Sequence, residues 1–338
     1  MKRTTNLIAV SALALATALS TVQARAEYGS HTFKVSNGAA EDHPVSAGVK
    51  GMSACLEKAT DGNMKLRGFY NGQLGDDAEA TQSVRSGSLE MVVTGAAAIG
   101  GIEPAMSTFE LPFLFANDKE VDAIMGGPFF DYVASKMPAH GLVLLSIWEN
   151  GFRNATNSKR PIAAVSDFQG LNFRVMQNNI FLDTFRRLGS NPVPMAFGEV
   201  FTALETKAVD GQENPLPLIK ASRFYEVQKY LTLTRHAYSP TPVLISKMVW
   251  DKLNADEQAL LKTCAQEGRV AQIARSREAV NEALEELKAR GMEVSELSAD
   301  EVAKLRDLVA PVYEAAIPTV GQENFDRLMA ELKAVRGQ

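Results

Sequence analysis

Apolar and polar residues alternate over residues 32–36, with Phe33 and Val35 on one side, which predicts a strand. Asp42 and Pro44 mark a helix start, Val45, Val49, Met52 and Leu56 recur at helical spacing, and Gly62 closes the segment. Residues 64–70 read as a second strand, ended by Asn71 and Gly72. A helix is expected from Asp76, where Glu79 three positions on completes a capping-box pattern. Gly87 stops it before an apolar strand over residues 89–94. This β-α-β-α-β order with short connections predicts a parallel or mixed sheet with helices on both faces.

Residues 95–112 are small, apolar and aperiodic, and read as a loop. A helix is expected over 120–130 and an apolar strand over 142–148. The polar, Asn-rich stretch 149–161 suits a connection between domains. A second α/β unit follows, with strands over 172–175, 191–194 and 208–211 and helices over 179–188 and 198–206. Residues 189–209 echo residues 68–89 in order and spacing, either as related halves or by coincidence. Strands are expected over 231–236 and 243–246. Asn254 opens a helical region that reaches Arg290 with a break near Gly268. Ser298 with Glu301 caps a helix through Tyr313, and a last helix covers 323–335.

The N-terminus follows a different rule. Lys2 and Arg3 precede an apolar run over 7–19, and Ala24 and Ala26 flank Arg25. That order is a secretory signal peptide with cleavage after about Ala26. The apolar run is short of the roughly 20 residues that span a bilayer, so the expected product is exported and not membrane-inserted. The whole chain has 35 Lys and Arg against 40 Asp and Glu, a net charge of −5. Loss of Lys2, Arg3 and Arg25 with no acid makes the mature balance more negative still. An acidic chain without a basic tract excludes nucleic acid as a partner, since phosphate neutralisation dominates such binding. Export leaves Cys55 and Cys264 two readings: a disulfide, or two buried thiols.

The chain has no phosphate-cradling glycine loop, no zinc-type His or Cys spacing and no nucleophile elbow, so no cofactor, metal or enzymatic function is expected. Two arginines carry the positive signal. Arg174 sits in a short strand between apolar residues, where an unpaired guanidinium is costly unless something anionic meets it. Its planar fork matches a carboxylate, and Arg153 lies in the connecting stretch where a cleft should open. On base rate alone, both would sooner serve structural salt bridges with Glu or Asp. Asn214 stands in a tight Gly211-to-Pro215 loop at a strand end, where open α/β sheets place ligands.

The runs 170–175, 188–200 and 209–215, with Gln73 to Asp76 and Asn150 to Ser158, resemble the signature region of DctP-type solute-binding proteins. These serve tripartite ATP-independent periplasmic (TRAP) transporters. The resemblance spans nearly the whole mature chain. It implies an α/β two-domain clamshell with mixed sheets, hinge strands and a helical C-terminal region. The expected lobes are 27–150 with about 238–278, and 151–237 with about 279–338. It implies a periplasmic protein that captures a small organic acid and hands it to TRAP permease subunits; a ligand sensor of the same fold is the alternative. The family arginine that grips the ligand carboxylate corresponds to Arg174 and its companion to Arg153. The cleft asparagine corresponds to Asn214 and the aromatic wall to Phe197; Asn37, Asp77 and Gln177 match further ligand positions. His43, Glu149 and Tyr238 are expected to add polar contacts. Sialic-acid-binding members carry charges after the strand ending at Thr94, where this chain has Gly95, Ala96, Ala97 and Ala98. A dicarboxylate, sugar acid or smaller hydroxy acid is therefore expected.

Overall fold

A computed structural model describes residues 27–338. The signal-peptide reading falls outside the described residues. Among the described residues nine strands form one sheet: β1 (His31–Ser36), β2 (Met64–Phe69), β3 (Met91–Val93), β4 (Leu142–Asn157), β5 (Asn172–Val175), β6 (Asn191–Pro194), β7 (Gly211–Pro215), β8 (Tyr230–Ser246) and β9 (Glu293–Ser295). The order is β2-β1-β3-β8-β4-β7-β5-β6, with β9 beside β8. β1 pairs in parallel with β2 and β3, and β5 pairs in parallel with β6 and β7. Each trio then joins a long antiparallel strand, β3 on β8 and β7 on β4. The order is the same read from either end, so the echo between residues 68–89 and 189–209 is a likeness of topology.

The long strands differ most from the sequence expectation. The polar stretch after Trp148 is no free connection: β4 runs unbroken through 16 residues. β8 likewise runs through 17, including Pro240 and Pro242. The two pair along most of their length, with irregularities at Glu149/Gly151 and Arg153/Ala155. Gly151 and Arg235 take positive φ at these irregularities, +118° and +44°. Polar residues such as Arg153 and Thr156 survive in this buried ladder because partners reach them from elsewhere in the chain, which periodicity cannot show.

Smaller corrections follow similar causes. The short strand expected before Gly211 instead spans Gly211–Pro215. The loop expected over 95–112 contains buried 3-10 turns at Ala96–Ala98 and Pro104–Glu110. Gly126 and Gly127 divide the expected helix over 120–130 into Asp118–Met125 and Pro128–Lys136. The helix after Ser298 is divided at Pro311 into Ala299–Val309 and Pro311–Val320. No break occurs at Gly268, because Ala255–Ala289 is one helix of 35 residues. Gly268 instead lets it approach the helix Val45–Ala59: a Cβ there would lie 2.8 Å from the Gly48 carbonyl oxygen and 3.0 Å from the Trp148 ring.

The long helix ties the architecture together. Cys264 on it is bonded to Cys55, with Cα atoms 5.5 Å apart. Gln272 accepts from the Glu149 backbone N–H at 2.9 Å and donates to the Glu149 carbonyl at 2.6 Å. Cys264 and Ala265 pack with Phe33, Val49, Met52 and Trp148. Near its other end, Ala283 and Leu287 pack with Val200, Leu204, Ile219 and Phe224. Among the described residues no helix is long and apolar enough to cross a membrane.

Candidate functional site

The cleft lies where the carboxyl ends of β1, β3 and β5 face the middle of β4 and β8, the position at which α/β sheets hold ligands. Its wall includes Asn37, His43, Asp77, Arg153, Arg174, Gln177, Phe197 and Asn214, eight of the ten residues expected from sequence.

Arg174 stands in β5 at 3% exposure. Its Nε and Nη2 both donate to the Met195 carbonyl, at 3.1 and 2.7 Å. Among the described residues its Nη1 has no hydrogen-bond partner. Phe197 places its ring centre 5.9 Å from the guanidinium carbon. Burial lowers the Arg174 pKa to about 10, against the opposing charge of Glu213, so it stays cationic at neutral pH. A fixed, dry cation with one free donor facing a cleft suits an anion.

Arg153, fully buried in β4, is differently employed. Its Nε donates to Glu213 Oε2. Its Nη2 donates to Glu213 Oε1 at 2.8 Å, to the Glu213 carbonyl at 2.7 Å and to Asn214 Oδ1 at 2.9 Å. Nη1 donates to Ser239 Oγ at 3.2 Å. His236 Nε2 lies 3.1 Å from Glu213 Oε2. Burial pushes the Glu213 carboxyl up, but the Arg153 charge and the His236 and Arg153 hydrogen bonds prevail, and its pKa falls to about 2. Sequence gave no sign of this partner, which comes from β7, 60 residues on. Asn214 is also engaged, its Nδ2 donating to Gln212 Oε1 at 2.6 Å.

The facing wall is built differently. Asn37 Nδ2 donates to the Val93 carbonyl and its Oδ1 accepts from Ala39 N–H, so it shapes the turn after β1. Asp76 caps the helix Asp77–Arg85, accepting from Glu79 N–H at 2.8 Å. That leaves the Asp77 carboxylate turned inward, where Gly95 N–H donates to it at 3.4 Å. Burial raises the Asp77 pKa, against the Gly95 hydrogen bond. His43 is buried, and burial lowers its pKa to about 4. Its Nδ1 accepts from Val45 N–H at 3.3 Å, which makes Nε2–H the donor side of the neutral ring.

Glu149 and Tyr238 are the corrections. Each neighbours a residue that does line the cleft, Asn150 and Ser239, and strand alternation sends it to the opposite face. There Tyr238 Oη donates to Glu149 Oε2 at 3.3 Å, and Arg277 Nη2 donates to the same oxygen at 3.1 Å. Sequence reading missed Thr94, Asn150 and Thr241. Each lines the cleft and carries a buried side-chain polar atom without a hydrogen-bond partner, as His43 Nε2 and Arg174 Nη1 do. The i, i+2 spacing of Ser239 and Thr241 would have pointed to one face of β8, had that segment been read as a strand.

Two sheet halves on shared long strands, with a polar cleft at the strand ends, define a two-domain solute-binding protein. Residues 35–319 match the family described as bacterial extracellular solute-binding protein, family 7, and the chain belongs to it. It is 35% identical over 246 residues to the 2,3-diketo-L-gulonate-binding periplasmic protein YiaO of Escherichia coli, covering 73% of this chain and 75% of that one. It is 31% identical over 324 residues to the C4-dicarboxylate-binding periplasmic protein DctP of Rhodobacter capsulatus, covering 95% and 96%. Among solved structures it is similar to the sugar acid binding protein DctPAm of Advenella mimigardefordensis in complex with galactonate. That match has a TM-score of 0.89 and 40% identity, covering 91% of this chain and 100% of that one. It is also similar to a TRAP periplasmic solute-binding protein of Polaromonas sp. JS666 bound to D-erythronate, with a TM-score of 0.85, 36% identity and coverage of 88% and 98%.

Proposed function

We propose that this protein captures a small hydroxylated monocarboxylic acid of the aldonate type in the periplasm and delivers it to a TRAP permease. The ligand carboxylate meets Arg174 Nη1, with Phe197 covering the guanidinium. One observation carries the reading. Five buried polar atoms without partners among the described residues, on His43, Thr94, Asn150, Arg174 and Thr241, converge on one cleft. Orphaned buried polar groups are costly, so a cleft that collects them is matched to a ligand that supplies both donors and acceptors. One cation with several neutral groups corresponds to one carboxylate with several hydroxyls. Arg153 acts from behind by holding Asn214 and Glu213 in place. Gln177, exposed after β5, guards the mouth. The irregular steps between β4 and β8 are where the two lobes flex, and closure expels water and strengthens each charged contact.

The test is calorimetry with D-galactonate and D-erythronate. Arg174→Lys keeps the charge and loses the fork, and it should weaken binding about 10- to 100-fold. Undiminished affinity in that variant removes Arg174 as the anchor. Uptake of the same acids by cells with and without this protein tests delivery to the permease.

A further inference from the structure

We infer that Asp77 makes the cleft selective for acids with one carboxylate, by presenting a negative group to the end of the ligand away from Arg174. The inference rests on the anchor reading above and adds the substrate boundary.

The charges of the cleft wall support it. Its charged residues are Asp76, Asp77, Arg153 and Arg174. Arg153 is matched by Glu213. Asp76 is committed to its helix cap. Arg174 is the cation left for a ligand, and Asp77 is the acid left to face it. No cation forms an ion pair with Asp77 among the described residues. Its partner is the Gly95 N–H, and Gly38 keeps room for the carboxylate: a Cβ there would lie 3.1 Å from Asp77 Oδ1. The other polar groups near this wall, on His43 and Thr94, are neutral.

A ligand hydroxyl placed there donates to the Asp77 carboxylate. A second ligand carboxylate there would set two anions side by side in a desolvated space, with Arg174, the cation whose charge reaches Asp77, already engaged by the first carboxylate. Such juxtaposition discriminates by repulsion as well as by lost attraction.

The experiment compares paired acids that differ in a terminal CH2OH or COO⁻: D-galactonate with galactarate, and D-erythronate with meso-tartrate. Calorimetry at pH 7 is run on the wild-type protein, Asp77→Asn and Asp77→Glu. The wild type should prefer the monoacid of each pair by about 100-fold, the scale set by like charges a few ångströms apart. Asp77→Asn should narrow that preference by a similar factor, mainly through tighter diacid binding, while Asp77→Glu keeps it. The proposal is overturned by a wild type that binds diacid and monoacid alike, or by an Asp77→Asn ratio within threefold of wild type. Failure of the anchor reading looks different: Arg174→Lys then binds monoacids normally, whatever the Asp77 ratios are.

Discussion

Glu213→Gln isolates the buried ion pair beneath the cleft. The carboxyl is fully buried and its pKa is lowered from 4.5 to about 2. The native protein therefore holds the ionised form more tightly than the unfolded chain does. That preference contributes about 3 kcal/mol of stability at neutral pH. The contribution is complete above pH 4.5, where the unfolded carboxyl is also ionised. It is lost progressively as pH falls from 4.5 toward 2, where the native carboxyl takes up its proton. The substitution removes the charge but keeps the shape, and leaves the Arg153 guanidinium buried with Asn214, Ser239 and a neutral amide. Urea unfolding at pH 7 should show the variant about 3 kcal/mol less stable, a size consistent with breaking one side of a buried pair. The gap should close as the titration moves from pH 4.5 to 2. A difference below 1 kcal/mol at pH 7, or one independent of pH, would refute the pairing as the source of the low pKa.

Two further outcomes test other parts of the fold. Burial raises the Glu110 pKa to about 8, outweighing Arg153, so the native carboxyl keeps a proton that the unfolded one has lost. Stability from this group is full below pH 4.5 and lost as pH rises through 8. Glu110→Gln should therefore gain on the wild type by on the order of 4 kcal/mol across that window, read by urea unfolding at pH 4.5 and 8. Gly268→Ala brings a methyl to 2.8 Å from the Gly48 carbonyl oxygen and should lower stability by about 1–3 kcal/mol despite the better helix former, read by calorimetric melting.

What the sequence disclosed follows the range of the interactions. The capping residues Asp76, Asn254 and Ser298 were legible because each bonds a neighbour three positions on. The strands of the outer sheet were legible from alternation such as Phe33 and Val35. The centre of β4 and β8 was not, because Arg153 and Thr156 look like surface residues until Glu213, Gln212 and Gln228 arrive from elsewhere in the chain. The same holds for the cleft. Arg174 stood out as a guanidinium in a short apolar strand, and Asp77 and Phe197 were found through their resemblance to a family motif. Asn150 and Thr241 needed the strand register, and Glu149 and Tyr238 fell on the other face. Arg153 was right in place and incomplete in role, since no local pattern reveals that its fork is already taken.

The bridge between Cys55 and Cys264 has a consequence for biogenesis. The partners are 209 positions apart, and the chain holds no third cysteine. A newly exported molecule thus has no wrong internal bridge to make, and no shuffling catalyst is needed to correct one. Its exposure is in time instead. The first thiol waits for most of the polypeptide to emerge before the long helix delivers its mate, and during that wait its competitors are other molecules.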